Sequence, residues 1–114
     1  MKVRLAGLDE LEPEKPLRVE LDFDAAVTLV RTADGEVYAI NDTCTHEDYS
    51  LAEGWVEDHE IECALHGSRF DLRTGAPDVP PAVVAVRTYP VELAGDDVLV
   101  DLPDELATLA QSLT

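Results

Sequence analysis

Cys44, His46, Cys63 and His66 are the side chains of this sequence best suited to chemistry. They form two mixed pairs, Cys44-Thr45-His46 and Cys63-Ala64-Leu65-His66, separated by a sixteen-residue spacer from Glu47 to Glu62. This stretch holds both cysteines and all three histidines of the chain. Thiolate and neutral imidazole together suit zinc, iron or copper. Structural zinc sites usually take their ligands in like pairs, two cysteines and then two histidines. Here each pair is mixed, although one tetrahedral zinc could still accept all four side chains. Mixed pairs have a particular use around a two-iron, two-sulfide cluster, where each loop gives its thiolate to one iron and its imidazole to the other. Two ferric ions, two sulfides and two thiolates then sum to zero charge. Four thiolates would leave the cluster doubly negative. The neutral cluster accepts an electron more readily, so its potential is higher.

Such loops need a scaffold, and the rest of the chain reads as short strands. Residues 2–6 (KVRLA) look like a first strand, and Leu8 to Leu11 allow one helical turn before Pro13. Residues 17–21 (LRVEL) alternate apolar and polar, as a half-buried strand does. Ala25 to Thr32 and Glu36 to Ile40 flank Asp34-Gly35, a strong hairpin signal because that turn requires positive φ. Trp55 to Glu57 and Ile61-Glu62 flank a tight turn at Glu57-Asp58-His59-Glu60, and Ser68 to Leu72 forms another short strand before the Thr74-Gly75 turn. Residues 76–82 (APDVPPA) contain three prolines and read as a stiff surface loop, neither helix nor central strand. Val83 to Thr88, Val91 to Leu93 and Val98 to Leu102 complete roughly eight or nine strands. Pro103, Asp104 and Glu105 start a short helix. On it Leu102, Leu106, Leu109 and Leu113 share one face, expected to pack on a sheet.

With 114 residues this is one domain, large enough for a core without disulfides. Against 8 basic side chains stand 25 acidic ones, a net charge of −17. That balance argues against nucleic acid and anionic lipid, and suits either docking to a basic patch on a partner or solubility in a salt-tolerant or acid-rich proteome. The first fifteen residues (MKVRLAGLDELEPEK) lack an apolar centre, so no secretory signal is expected and the expected location is the cytosol, with free thiols. His59, set among acids in its turn, is expected to be solvent-exposed. Trp55 is expected in the core. Asp42, Glu47 and Asp48 flank the first pair and read as a solvated face, with a docking rim as the alternative.

The two pairs, their spacer, Cys63-Ala64-Leu65-His66-Gly67 and the trailing Phe70-Asp71-Leu72-Arg73-Thr74-Gly75 resemble the Rieske 2Fe–2S motif. The resemblance extends from the first meander to about Leu102. It implies an all-β fold of stacked antiparallel sheets, with a small cluster-binding subdomain at about residues 42–80. This subdomain is inserted in a basal β-sandwich of about residues 1–41 and 81–102, and a short C-terminal helical tail occupies 103–114. It implies one 2Fe–2S cluster, with Cys44 and Cys63 on the inner iron and His46 and His66 on the outer iron near the surface. Pro77 to Pro81 correspond to the family's covering loop, and Ala64 stands where proline is frequent.

His59 alone is left over, too few histidines for a second, mononuclear iron, and there is no glycine pattern for a nicotinamide. It is therefore expected to be a one-electron carrier and not an enzyme. Its partners would be a flavin-dependent ferredoxin reductase and the oxygenase component of a ring-hydroxylating dioxygenase. Three rivals remain: the small subunit of nitrite reductase, a Rieske protein accompanying iron–sulfur cluster assembly, and a zinc-stabilised adaptor. Respiratory Rieske proteins carry two further cysteines that link the loops, and serine and tyrosine hydroxyls near the sulfurs. This chain has no further cysteines, and it keeps Ser68 but has Phe70 in place of the tyrosine. Fewer hydrogen bonds to sulfur stabilise the reduced cluster less. A redox titration is expected to place the midpoint low in the Rieske range, toward about −150 mV; a value well above zero would contradict this.

Overall fold

The computed structural model describes residues 1–22, 25–45, 49–64, 67–79 and 84–111. Of the residues singled out in the sequence, His46, Glu47, Asp48, Leu65, His66, Pro80 to Val83 and Leu113 lie outside the described set. Eleven strands and one α-helix are present among the described residues. They form three antiparallel sheets.

The first sheet joins β1 (Lys2–Gly7), β11 (Asp97–Asp101) and β10 (Val91–Ala94), with β11 in the centre. The second runs β2 (Leu17–Asp22), β3 (Ala25–Arg31), β4 (Val37–Asn41) and β9 (Thr88–Tyr89). The third is β5 (Trp55–Glu57), β6 (Glu60–Glu62), β7 (Arg69–Asp71) and β8 (Pro77–Val79). This last sheet starts between the two Cys-His pairs, with β5 and β6, and is completed after them by β7 and β8.

β3 explains how the sheets share one body. Alternate residues of a strand face opposite sides. Val27 and Leu29 enter one core with Ala6, Leu21, Val98, Val100 and Leu102. Val30, on the other face of the strand, enters a second core with Ile40, Val56, Ile61, Phe70, Leu72, Val86 and both cysteines. A strand buried on both faces reads as a continuous apolar run, which is why residues 25–31 show no clean alternation. The hairpin after β3 closes as expected: Arg31 pairs with Val37, and Gly35 takes φ +90°.

The helix α1 (Asp104–Gln111) packs on the basal sheets. Its most buried residues are Ala107 and Ala110, with Leu106 and Leu109 only partly buried beside them. The leucine face expected from spacing is thus shifted, because the small alanines allow the closest approach.

Three expectations need correction. Residues 84–87 are not a strand. Their backbone serves two different neighbours: the Asn41 N–H donates to the Arg87 carbonyl (2.8 Å), and the Val86 N–H donates to the Gly75 carbonyl (2.9 Å). The Pro-rich loop begins instead as the edge strand β8, with Pro77 opposite Phe70. Proline is tolerated there because it occupies the first position of an edge strand. Trp55 is outside the core, at 61% exposure, because the strand alternation gives the inward place to Val56.

Gly75 has φ +81°, and a Cβ there would lie 1.9 Å from the Val86 carbonyl oxygen. Gly75→Ala is expected to destabilise the protein by at least about 1–3 kcal/mol from backbone strain, with the steric clash adding to it. Chemical denaturation would measure this; an unchanged midpoint would contradict it.

Candidate functional site

The two Cys-containing loops are built alike. Thr43 pairs with Ser50 in an antiparallel bridge, and the Cys44 N–H donates to the Tyr49 carbonyl (2.9 Å). Glu62 pairs with Arg69 at the end of β6–β7, and the Cys63 N–H donates to the Ser68 carbonyl (2.7 Å). Each cysteine is therefore the first residue of a loop closed by its own amide. In the second loop the Gly67 N–H also donates to the Cys63 carbonyl (2.9 Å), and Gly67 adopts φ +75°, which glycine permits without strain.

Cys44 and Cys63 are not joined in a disulfide and are 3% and 1% exposed. Both belong to the same apolar core with Leu51, Val56, Ile61, Phe70 and Val86. Phe70 and Ser68 are fully buried, Phe70 in this core and Ser68 at the closure of the second loop. His46 and His66 fall in the parts of the two loops outside the described residues, as do Glu47 and Asp48.

Close backbone approaches hold the loops to the sheet. After the first loop a 3-10 turn at Leu51–Glu53 leads to Gly54. A Cβ on Gly54 would lie 1.8 Å from the carbonyl oxygen of Glu62, the residue before Cys63. Glycine thus lets the chain leaving one loop press against the entrance of the other. Thr45 Oγ1 donates to the Val84 carbonyl (2.6 Å) and fastens the first loop to the segment after the prolines.

Two flanking residues differ from expectation. Asp42 is not on a solvated face. It is 4% exposed and accepts hydrogen bonds from Thr28 Oγ1 (2.7 Å), Ser50 Oγ (2.7 Å) and Arg18 Nε (3.1 Å). The sequence carried a signal for this in Thr28, a lone polar residue inside an apolar strand, since buried polar groups need partners. His59 is half-buried. Its ring meets Tyr38 edge-on at 6.2 Å, and its Nε2 lies 3.3 Å from Asp34, because its turn folds against the β3–β4 turn.

The outer face of the third sheet is acidic. Cross-strand pairing aligns Glu57, Glu60 and Asp71 in one row and Trp55, Glu62 and Arg69 in the next. Arg69 Nε donates to Glu62 (3.0 Å), and Arg73 donates to Asp71, holding that carboxyl below its ordinary value. Glu60 shares a hydrogen bond with the Asp78 carboxyl and is partly desolvated, so its pKa is pushed above 4.5.

Residues 1–90 match the family model described as the Rieske [2Fe-2S] domain. The "Biphenyl 2,3-dioxygenase, ferredoxin component" of Rhodococcus jostii strain RHA1 is 42% identical over 105 residues, which is 92% of this chain and 96% of that protein. The solved ferredoxin of carbazole 1,9a-dioxygenase from Nocardioides aromaticivorans IC177 superposes with a TM-score of 0.82 at 43% identity, covering 90% of this chain and 99% of that one. A chain in the complex of reduced oxygenase and oxidized ferredoxin in carbazole 1,9a-dioxygenase superposes at 0.80 with 32% identity, covering 87% of this chain and all of that one.

The raised Glu60 pKa means that the folded state holds its proton more tightly than the unfolded chain. Stability should therefore fall as pH rises above 4.5 through the folded value. Glu60→Gln is expected to melt higher than the parent at pH 7, with the gain vanishing below about pH 4.5, where the parent is protonated in both states. Thermal melts across pH would check this; a lower melting point for the variant at pH 7 would refute it.

Proposed function

We propose a function from one premise: the chain belongs to the Rieske [2Fe-2S] domain family. The family's cofactor is a 2Fe–2S cluster, and the described residues fit it. Two reduced, buried thiols sit at matching positions of two loops built alike and enter one core. Such a pair suits thiolate ligation of a cluster.

On this reading Cys44 and Cys63 hold the inner iron, and His46 and His66 hold the outer iron. Residues 42–80 form the cluster-binding part, carried by basal sheets from about 1–41 and 81–102. When bound, the cluster supplies a site that takes up and releases a single electron. Leu51, Val56, Ile61, Phe70 and Val86 keep water from the thiolates. The backbone closures at Cys44 and Cys63 fix the thiol-bearing ends of the loops, so little rearrangement accompanies a change of charge. His46 and His66 would be the ligands through which electrons enter and leave.

The chain then acts as a ferredoxin, a one-electron carrier in the cytosol. It would pass electrons from a flavin-dependent reductase to the oxygenase of a ring-hydroxylating dioxygenase. The observation that carries this reading is the nearly full-length similarity to dioxygenase ferredoxins at 42–43% identity. No helix among the described residues is long and apolar enough to cross a membrane. The net charge of −17 favours transient docking to basic surfaces.

The purified protein is expected to be red-brown and to release acid-labile sulfide. Cys44→Ala and Cys63→Ala should lose the visible bands. His66→Cys, by adding a negative charge at the cluster, should lower the midpoint potential. Mixed with the reductase and oxygenase of a biphenyl dioxygenase system, the wild-type chain should restore substrate oxidation. A colourless protein with one tightly held zinc would overturn the carrier reading.

A further inference from the structure

We propose that Asp42 is the positioning residue of the first cluster loop and that its carboxylate helps set the cluster's reduction potential. This rests on the reading of Cys44 as a cluster ligand.

Asp42 is the only buried charged residue among those described. It stands two residues before Cys44, at the entrance of the loop. Its main chain is fully engaged: its N–H donates to the Ala26 carbonyl (3.1 Å), and its carbonyl accepts from the Leu51 N–H (2.7 Å). Its side chain takes three donors from three parts of the chain. Thr28 on β3 and Ser50 at the exit of the loop both donate to Oδ1, each at 2.7 Å. Arg18 on β2 donates to Oδ2 at 3.1 Å. One carboxylate therefore joins the entrance and exit of the Cys44 loop and fastens both to the two strands behind it.

A simple packing role does not require this arrangement. Burying a carboxylate is costly unless it is paired and hydrogen-bonded, and apolar residues of similar volume often give equal or greater stability. What the carboxylate adds is a fixed geometry, since it can receive two hydroxyls and a guanidinium at once. It also adds a negative charge beside a centre whose reduction brings a further negative charge. In a weakly screened interior that charge opposes reduction, and Arg18, with its partly exposed guanidinium, offsets it only in part.

Two substitutions separate geometry from charge. Asp42→Asn keeps Oδ1 as the acceptor for Thr28 and Ser50 but removes the charge. Ser50→Ala keeps the charge but cuts the tie at the loop exit. Val98→Ala, in the other core, controls for lost stability without touching the loop. In Asp42→Asn the midpoint potential is expected to rise. In Ser50→Ala the loaded protein is expected to lose iron about tenfold faster, the scale seen when partners of metal ligands are removed, and the paramagnetic resonance spectrum of its reduced cluster should shift. Val98→Ala should lower the melting temperature with potential and spectrum unchanged. If Asp42→Asn and Ser50→Ala melt lower but keep the wild-type potential, spectrum and iron retention, Asp42 is only structural and the proposal fails. If Asp42→Asn does not fold, Ser50→Ala decides by the same readouts. A wild-type protein without iron and sulfide overturns the cluster reading itself, and this proposal with it.

Discussion

Two backbone hydrogen bonds set the geometry on which the rest of the molecule depends. The amide of Cys44 binds the Tyr49 carbonyl, and the amide of Cys63 binds the Ser68 carbonyl. Each makes a cysteine the hinge of a short hairpin tip. Isolated hairpins of this length are marginal in water, so neither loop could hold its thiol in place alone. The chain supplies the missing stability by pressing backbones together. Gly54 lies against Glu62, and Gly75 lies against Val86. At both contacts a side chain would collide with a carbonyl oxygen, so the absence of Cβ is what lets the loops and their supporting strands share one core.

The charge distribution follows from the same division between interior and surface. Asp42 is the one carboxylate buried among the described residues, and there it meets three donors. The other described carboxylates remain at or near the surface, several of them on the outer face of the third sheet. There Glu60 stands within hydrogen-bonding distance of the Asp78 carboxyl. Surface pairs such as Arg73 with Asp71 contribute little to stability. The acidity is better understood as a long-range field, which speeds encounters with basic partners and weakens with salt. A carrier that must release each partner quickly gains more from such a field than from a large dry interface.

Much of this was legible in the residues. The alternation in LRVEL, the Asp34-Gly35 turn and the positions of the two cysteines correspond to β2, the β3–β4 hairpin and the starts of the two loops. What spacing could not convey was the direction of individual side chains. Trp55 is exposed because Val56, its neighbour, faces inward, and nothing in a three-residue strand reveals that phase. Asp42 looked solvated because its donors lie far away in sequence, on Arg18, Thr28 and Ser50. Val86 looked like part of a strand because it is β-branched and buried, yet its amide binds a turn. Local pattern reports composition and period, whereas these three cases were decided by long-range contacts.

The register of β3 ties these observations together. Val27 and Leu29 face the basal core, while Thr28 and Val30 face the core of the thiols. Shifting β3 by one residue would exchange the two sets. Thr28 would then leave Asp42 with one donor fewer and enter an apolar core without a partner, and a leucine or valine would face the carboxylate. Both errors are costly, because one strands a buried hydroxyl and the other weakens the pairing of a buried charge. The Thr28–Asp42 bond therefore works in two directions. It holds the first loop to the basal sheets, and it penalises any strand pairing that would place that loop wrongly. The apolar faces of β3 favour burial in either register, so this polar contact is what makes the correct one distinct.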